Sequence, residues 1–130
     1  MKLLLDTHTW IWRLLAPERL SARAEEAVGH PDNGLFLSPI STWEALVLAR
    51  KGRLALEPSP SAWVTEALRR SALTAAPITH EIALRSEKLP GFGSNDPADR
   101  FLAATALEHG YTVVTKDPAM QDYEALPTLW

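Results

Sequence analysis

Cysteine is absent from the 130 residues. That excludes a disulfide framework and any metal site built on thiolates. No stretch approaches the ~20 consecutive apolar residues of a membrane-spanning helix. The three leucines between Lys2 and Asp6 are too short an apolar run for a secretory leader. These absences fit a cytoplasmic chain with no membrane contact. An excess of positive charge is missing too. Thirteen Lys and Arg against sixteen Asp and Glu leave a formal charge of −3, which argues against a general nucleic-acid binder. Linkers, repeats and low-complexity segments are lacking, so the length predicts one domain over residues 1–130.

What is present is ordinary in bulk: 46% hydrophobic and 22% charged residues, enough for a buried core. The bases recur in small groups, Arg50, Lys51 and Arg53, then Arg69 and Arg70, then Arg85 and Lys88. Each group reads as solvated helix surface, although bases lining a cleft rim would hold a phosphate backbone. Lys2 to Leu5 predicts a short buried strand, and Ile11 and Leu15 at i, i+4 spacing predict a helix over Thr7 to Leu15. Pro17 interrupts it before a second piece, Ser21 to Val28. After a turn at residues 30–34, Leu35 to Leu37 reads as a second strand. Ser38-Pro39 suits a helix start, with the stop at Gly52. A helix near Ala62 to Arg70, a weak strand within Leu73 to Pro77 and a Thr79-capped helix follow. Asp96-Pro97 opens the longest helix, which ends before Gly110. Tyr111 to Thr115 is the clearest strand. Asp117-Pro118 begins a short helix, and Leu126 to Trp130 is an edge-strand candidate. Strands alternating with helices imply βαβ units, a mostly parallel sheet and a ligand site beyond the strands' carboxyl ends.

Four acids fall at that edge. Asp6 directly follows the first strand, and Asp117 lies two residues past Thr115. Glu44 is in the second turn of the helix after strand two. Asp99 is in the first turn of the helix that runs antiparallel to the Tyr111–Thr115 strand. Like charges in one cleft require protons or cations between them, so the convergence predicts a divalent metal site. Helix capping competes at two of these positions. Asp96 and Asp99 have the spacing of a capping-box variant, so Asp96 is read chiefly as the cap and only secondarily as a ligand. Asp117 before Pro118 also suits an N-cap. Asp6 has little local role to explain it.

These residues resemble the PIN domain, specifically the VapC-type toxins of bacterial toxin–antitoxin pairs. The resemblance lies in four ordered blocks spanning nearly the whole chain. They are Leu3-Leu4-Leu5-Asp6-Thr7-His8-Thr9-Trp10; Ser38-Pro39-Ile40-Ser41-Thr42-Trp43-Glu44 with Lys51-Gly52-Arg53-Leu54; Asp96-Pro97-Ala98-Asp99-Arg100 with Ala103-Ala104-Thr105-Ala106; and Val113-Val114-Thr115-Lys116-Asp117. The resemblance implies an α/β fold, a three-layer α/β/α sandwich with a mostly parallel central sheet. It implies a metal-dependent endoribonuclease with one or two Mg²⁺ or Mn²⁺ ions, an RNA substrate, a cognate antitoxin and a homodimer. The family's acids fall on Asp6, Glu44, Asp99 and Asp117. Asp6 and Asp99 are expected as core ligands, and Glu44 and Asp117 would complete the site and orient water.

Secondary candidates surround them. Thr7 and Thr115 flank two of the acids, although Thr7 is at least as well read as an N-cap. Arg100 is placed to contact phosphate or to pair with Asp96. Ser38 and Ser41 read as a cap and a first-turn residue. His8 has no partner at ligand spacing and reads as a local packing or hydrogen-bonding residue. Trp10 reads as core, and Trp12, on another face, as a partner surface with the Arg50–Arg53 segment. Trp43, Trp63 and Trp130 read as core or dimer residues.

Other classes fit less well. A covalent aspartyl phosphatase needs a second aspartate two residues after Asp6, where His8 stands. A receiver domain needs an acceptor aspartate after a middle strand, which Leu35–Ser38 lacks. A non-catalytic RNA-binding or scaffold module is the alternative that keeps the same fold.

Overall fold

The computed structural model describes residues 1–130. Five strands form one sheet: β1 (Lys2–Leu5), β2 (Gly34–Leu37), β3 (Thr74–Ala75), β4 (Thr112–Val114) and β5 (Thr128–Leu129). Their order is β3-β2-β1-β4-β5, and every pairing is parallel. The mostly parallel sheet expected from the alternation of elements is therefore wholly parallel. Both edge strands are only two residues long, which leaves little unpaired backbone exposed.

Seven helices cover the sheet: α1 (Thr7–Leu15), α2 (Ala22–Gly29), α3 (Pro39–Arg50), α4 (Pro60–Arg70), α5 (His80–Ser86), α6 (Pro97–His109) and α7 (Pro118–Gln121). Pro17–Arg19 forms a 3₁₀ turn between the first two. The helices start where the sequence supplies an oxygen to accept a free N–H. Ser21, Ser38, Ser59, Thr79 and Asp96 each accept a first-turn amide through the side chain. Proline stands at the head of α3, α4, α6 and α7, where its missing N–H costs nothing. The Ser59 cap explains why α4 begins at Pro60, two residues before the expected Ala62. Helix α6 ends at Gly110, whose φ of 71° is the left-handed turn that glycine allows without strain.

Side chains alternate across the sheet and build two cores. Leu3, Leu5, Leu35, Leu37 and Val114 face one layer, with Trp10, Ile11, Ala24, Val28, Ala45, Val64 and Ala67 of α1 to α4. Leu4 and Val113 face the other, with Leu102, Ala103 and Ala106 of α6 and Met120 of α7. Helix α5 packs on α6. This is the three-layer α/β/α sandwich expected from the sequence. Trp10 is fully buried against Trp63, as expected of a core residue, with ring centroids 5.9 Å apart. Trp63 and Trp130 pack partly buried against the same core. Trp43 is 51% exposed and so is not a core residue.

Leu4 is fully enclosed at the centre of the sheet. Leu4→Ala leaves a cavity there, and chemical denaturation should show a loss of about 2–5 kcal/mol in unfolding free energy. A loss below 1 kcal/mol would mean the two helical layers collapse onto the gap.

Candidate active site

The chain leaves β1 towards β2 on one side and reaches β4 on the other. The carboxyl ends of β1 and β4 therefore flank a topological switch point, where a parallel sheet opens a crevice. The two ends are tied together. Val114 O accepts the Asp6 N–H at 3.2 Å and the Thr9 hydroxyl at 2.9 Å. Thr115, buried just past β4, donates its hydroxyl to Asp6 Oδ2 at 2.5 Å and accepts the Asp117 N–H at 3.0 Å. One hydroxyl thus joins two acids that lie more than a hundred residues apart in sequence.

Each acid also has a local reason for its position. Asp6 caps α1, Oδ1 accepting the Thr9 N–H at 2.8 Å. This corrects the expectation that Asp6 lacks a local role. It also corrects the reading of Thr7 as the cap. Thr7 is the first helical residue, and its hydroxyl donates to Ser41 Oγ at 3.0 Å, linking α1 to α3. Asp117 caps α7 through Ala119 N–H at 2.9 Å. Asp96 accepts the Asp99 N–H at 3.1 Å, the capping role its spacing predicts. Asp99 Oδ2 accepts the Ser94 hydroxyl at 2.8 Å, and Ser94 Oγ accepts the Asp96 N–H. Glu44 lies half-buried on α3.

Asp6, Glu44, Asp99 and Asp117 line one open cleft of about 540 Å³, together with Asp96. The four acids expected at one sheet edge are therefore brought to one wall. Thr7, His8, Trp12 and Lys116 line it as well. Arg100 does not. Its guanidinium donates to Ser86 O and Ser94 O, both at 2.9 Å, so it braces the loop before α6 instead of contacting phosphate or Asp96. Nor do the basic groups line the cleft: Arg69 and Arg70 pair with Glu66, Arg85 pairs with Glu108, and Arg50, Lys51 and Arg53 are exposed elsewhere.

Crowding and burial raise the acids' affinity for protons. Burial pushes the Asp6 carboxyl up against the opposing hydrogen bonds from Thr115 and Thr9. Burial also raises Glu44, with the charges of Asp96 and Asp6 adding to it. Asp99 is pushed up to about 7. Burial is the main cause, the charge of Asp117 and a hydrogen bond shared with it come next, and the Ser94 hydroxyl opposes them. No ion pair neutralises any of these acids.

A divalent ion fits the donor chemistry. The cleft offers carboxylate oxygens, which suit hard cations, and it penalises its own negative charge until a cation offsets it. No three of these side chains stand at metal-holding separation. Asp6 and Asp99 are each engaged by a neighbouring hydroxyl, so an ion would have to draw a third carboxylate into its shell.

Four residues of this site were missed in the sequence reading. Ser94 sits in a loop without periodicity, and its only signal is its place just ahead of Asp96 and Asp99. Ser41 was read only as a first-turn residue, and its contact with Thr7 depends on packing between two helices. His8 was read as a local packing or hydrogen-bonding residue, yet it is exposed in the cleft. Lys116, between Thr115 and Asp117, could have been found from that position alone.

A wholly parallel α/β sandwich with carboxylates gathered at its switch point defines a candidate hydrolase. The chain belongs to the PIN domain family, whose model matches residues 3–126. It is 35% identical over 120 residues to Ribonuclease VapC22 of Mycobacterium tuberculosis (strain ATCC 25618 / H37Rv), covering 92% of this chain and 90% of that protein. Two solved structures share the fold. VapBC2 from Rickettsia felis, bound to a DNA fragment from their promoter, matches with a TM-score of 0.72 at 14% identity, covering 99% of this chain and 98% of that one. FitAcB from Neisseria gonorrhoeae matches with a TM-score of 0.71 at 21% identity, covering 98% and 96%.

The raised carboxyls set the direction of a pH effect. A group whose folded pKa is raised stabilises the fold below its unfolded value and loses that contribution as pH rises through the folded one. In EDTA, the stability contributed by Asp99 should therefore decline between about pH 4 and pH 7. Asp99→Asn removes the titrating group, so its melting temperature should exceed that of wild type at pH 8 by on the order of 5 °C, and the gap should close towards pH 4. Parallel thermal melts of the two proteins across this range would check it; a gap independent of pH would contradict the assignment.

Proposed function

We propose that this chain is a metal-dependent endoribonuclease of the VapC type, built as one domain over residues 1–130. The observation that carries the reading is the cleft at the β1–β4 switch point, where five unneutralised carboxylates line one wall. The ribonuclease relative supports it, and so does the PIN family match. When bound, one or two Mg²⁺ or Mn²⁺ ions supply charge relief at the phosphate, an activated water and help for the leaving oxygen.

The residues divide the remaining work. Asp6 and Asp99 are the core ligands, with Glu44 and Asp117 completing the set. Asp96 serves mainly as a helix cap. Thr115 holds Asp6 and the backbone of Asp117 in register, and Ser94 orients Asp99. Thr7 and Ser41 join α1 to α3 beside Glu44. Glu44 or Asp117 would orient the attacking water. Hydroxyls that fix a carboxylate's direction tune the metal it holds.

An uncontrolled ribonuclease damages its own host, so a neighbouring inhibitor is expected. Several structural relatives are toxin–antitoxin complexes, which supports a cognate antitoxin for this chain. An antitoxin arginine entering the acidic cleft would meet the charge that a metal otherwise offsets. A homodimer and a cytoplasmic location complete the proposal, and no helix is long and apolar enough to cross a membrane.

Cleavage of a structured RNA in Mn²⁺ or Mg²⁺ tests the reading. EDTA should abolish cutting. Thr115→Val should slow it about 10- to 100-fold, and Asp99→Asn should slow it at least as much. Cutting that survives both EDTA and Asp99→Asn would rule out this site. RNA binding without cutting would favour the scaffold alternative.

A further inference from the structure

The cleft that gathers the carboxylates offers RNA very little positive charge. Lys116 is the one basic side chain besides His8 on its wall. Its hydrophobic lining is just as sparse, because Leu102 is only 1% exposed. Trp12 is the exception. It is half-buried, lines the cleft and carries the one indole there. The exposed His8 ring, four residues earlier on α1, lies 5.6 Å from it at 50°. Trp130 meets Trp12 edge-on at 6.0 Å and holds the indole from the core side. The exposed Arg19 guanidinium lies 5.0 Å over the Trp12 ring and belongs to no ion pair.

We propose that Trp12 and His8 form a nucleobase-stacking subsite on the wall of the carboxylate cleft, with Arg19 beside it to meet the phosphate of the stacked nucleotide. This deepens the ribonuclease reading and rests on it. The chemistry follows from the surroundings. With Lys116 and His8 as the basic side chains on its wall, the cleft offers the RNA backbone little beyond what a bound ion would supply, so a contact indifferent to charge adds binding energy. An aromatic face supplies it to any unpaired base, and the exposed Arg19 guanidinium, which covers the indole in the free protein, would give way to the base and meet its phosphate alongside. The occupant is an unstacked nucleotide flanking the scissile bond, which selects single-stranded loops over duplex. The same face is the one the sequence suggests for a protein partner, so the two occupants are told apart by the test.

The test uses a stem–loop RNA that wild type cuts, with the same RNA made abasic in turn at each nucleotide flanking the cut. Trp12→Leu should raise KM about 10- to 100-fold while kcat stays within about twofold, and Trp12→Phe should recover most of the loss. His8→Ala, a change at an exposed residue, should raise KM in the same direction without disturbing the fold. One abasic position should reproduce the Trp12→Leu loss in wild type and add nothing in the variant. Unchanged KM, or abasic and Trp12→Leu losses that simply multiply, would overturn the proposal. So would a Trp12→Leu protein that cuts RNA normally but no longer binds its antitoxin, which would assign the face to a protein. If wild type cuts no RNA, the nuclease reading fails separately, and binding of a stem–loop carrying 2-aminopurine in its loop decides the subsite. Fluorescence quenching by wild type that Trp12→Leu loses would support stacking; quenching equal in both, or absent from both, would refute it.

Discussion

The parallel pairing of β1 with β4 is the contact on which the site depends. It brings the carboxyl end of the first strand beside that of the fourth, and Thr115 then joins Asp6 to the backbone of Asp117. Val114 O fixes the same junction from below by accepting both the Asp6 N–H and the Thr9 hydroxyl. Helices α1, α6 and α7 all start at this edge, and each begins with an aspartate cap. Two of these caps, Asp6 and Asp117, are also proposed ligands. The free N–H groups of three helix starts stabilise carboxylates that would otherwise repel one another in the cleft.

That stabilisation is incomplete. Asp6, Glu44 and Asp99 all favour the protonated form more than a free carboxyl does. The fold holds them together against this cost because two hydrophobic layers clamp the sheet, with Leu3, Leu5 and Val114 on one face and Leu4 and Val113 on the other. The site is thus stabilised from outside and short of positive charge within. A divalent ion or an inserted basic group would relieve the same imbalance, so the proposed metal binding and the proposed inhibition by an antitoxin would share an electrostatic origin.

Much of this was legible in the sequence. Alternating apolar strands and capped helices revealed the parallel α/β order, and the strand-to-acid spacings brought Asp6, Glu44, Asp99 and Asp117 to one edge. Asp96 was recognisable as a cap because D-x-x-D spacing is a local signal. What escaped was non-local or ambiguous. A helix expected from Thr7 already makes Asp6 its N-cap, but the position directly after an apolar strand, with Thr7 as a competing cap, hid that role. Arg100 is adjacent to Asp99 in sequence, but the helix turns it towards the carbonyls of Ser86 and Ser94. Ser94 acquires its role only from the loop that brings it to Asp99, and His8 only from the helix that turns it into the cleft. Trp12 could be assigned to a different face from Trp10, but no periodicity could say that this face opens onto the carboxylates.

Near pH 7 the crowded carboxylates share a proton, chiefly at Asp99, that a divalent ion would have to displace. Calorimetric titration of Mn²⁺ into the protein at pH 7, repeated in buffers of different ionisation enthalpy, measures the protons released on binding. Close to half a proton or more should be released per ion at pH 7, falling towards zero at pH 8.5 and in Asp99→Asn at either pH. Binding that releases no protons at pH 7, or no saturable binding at all, would contradict it.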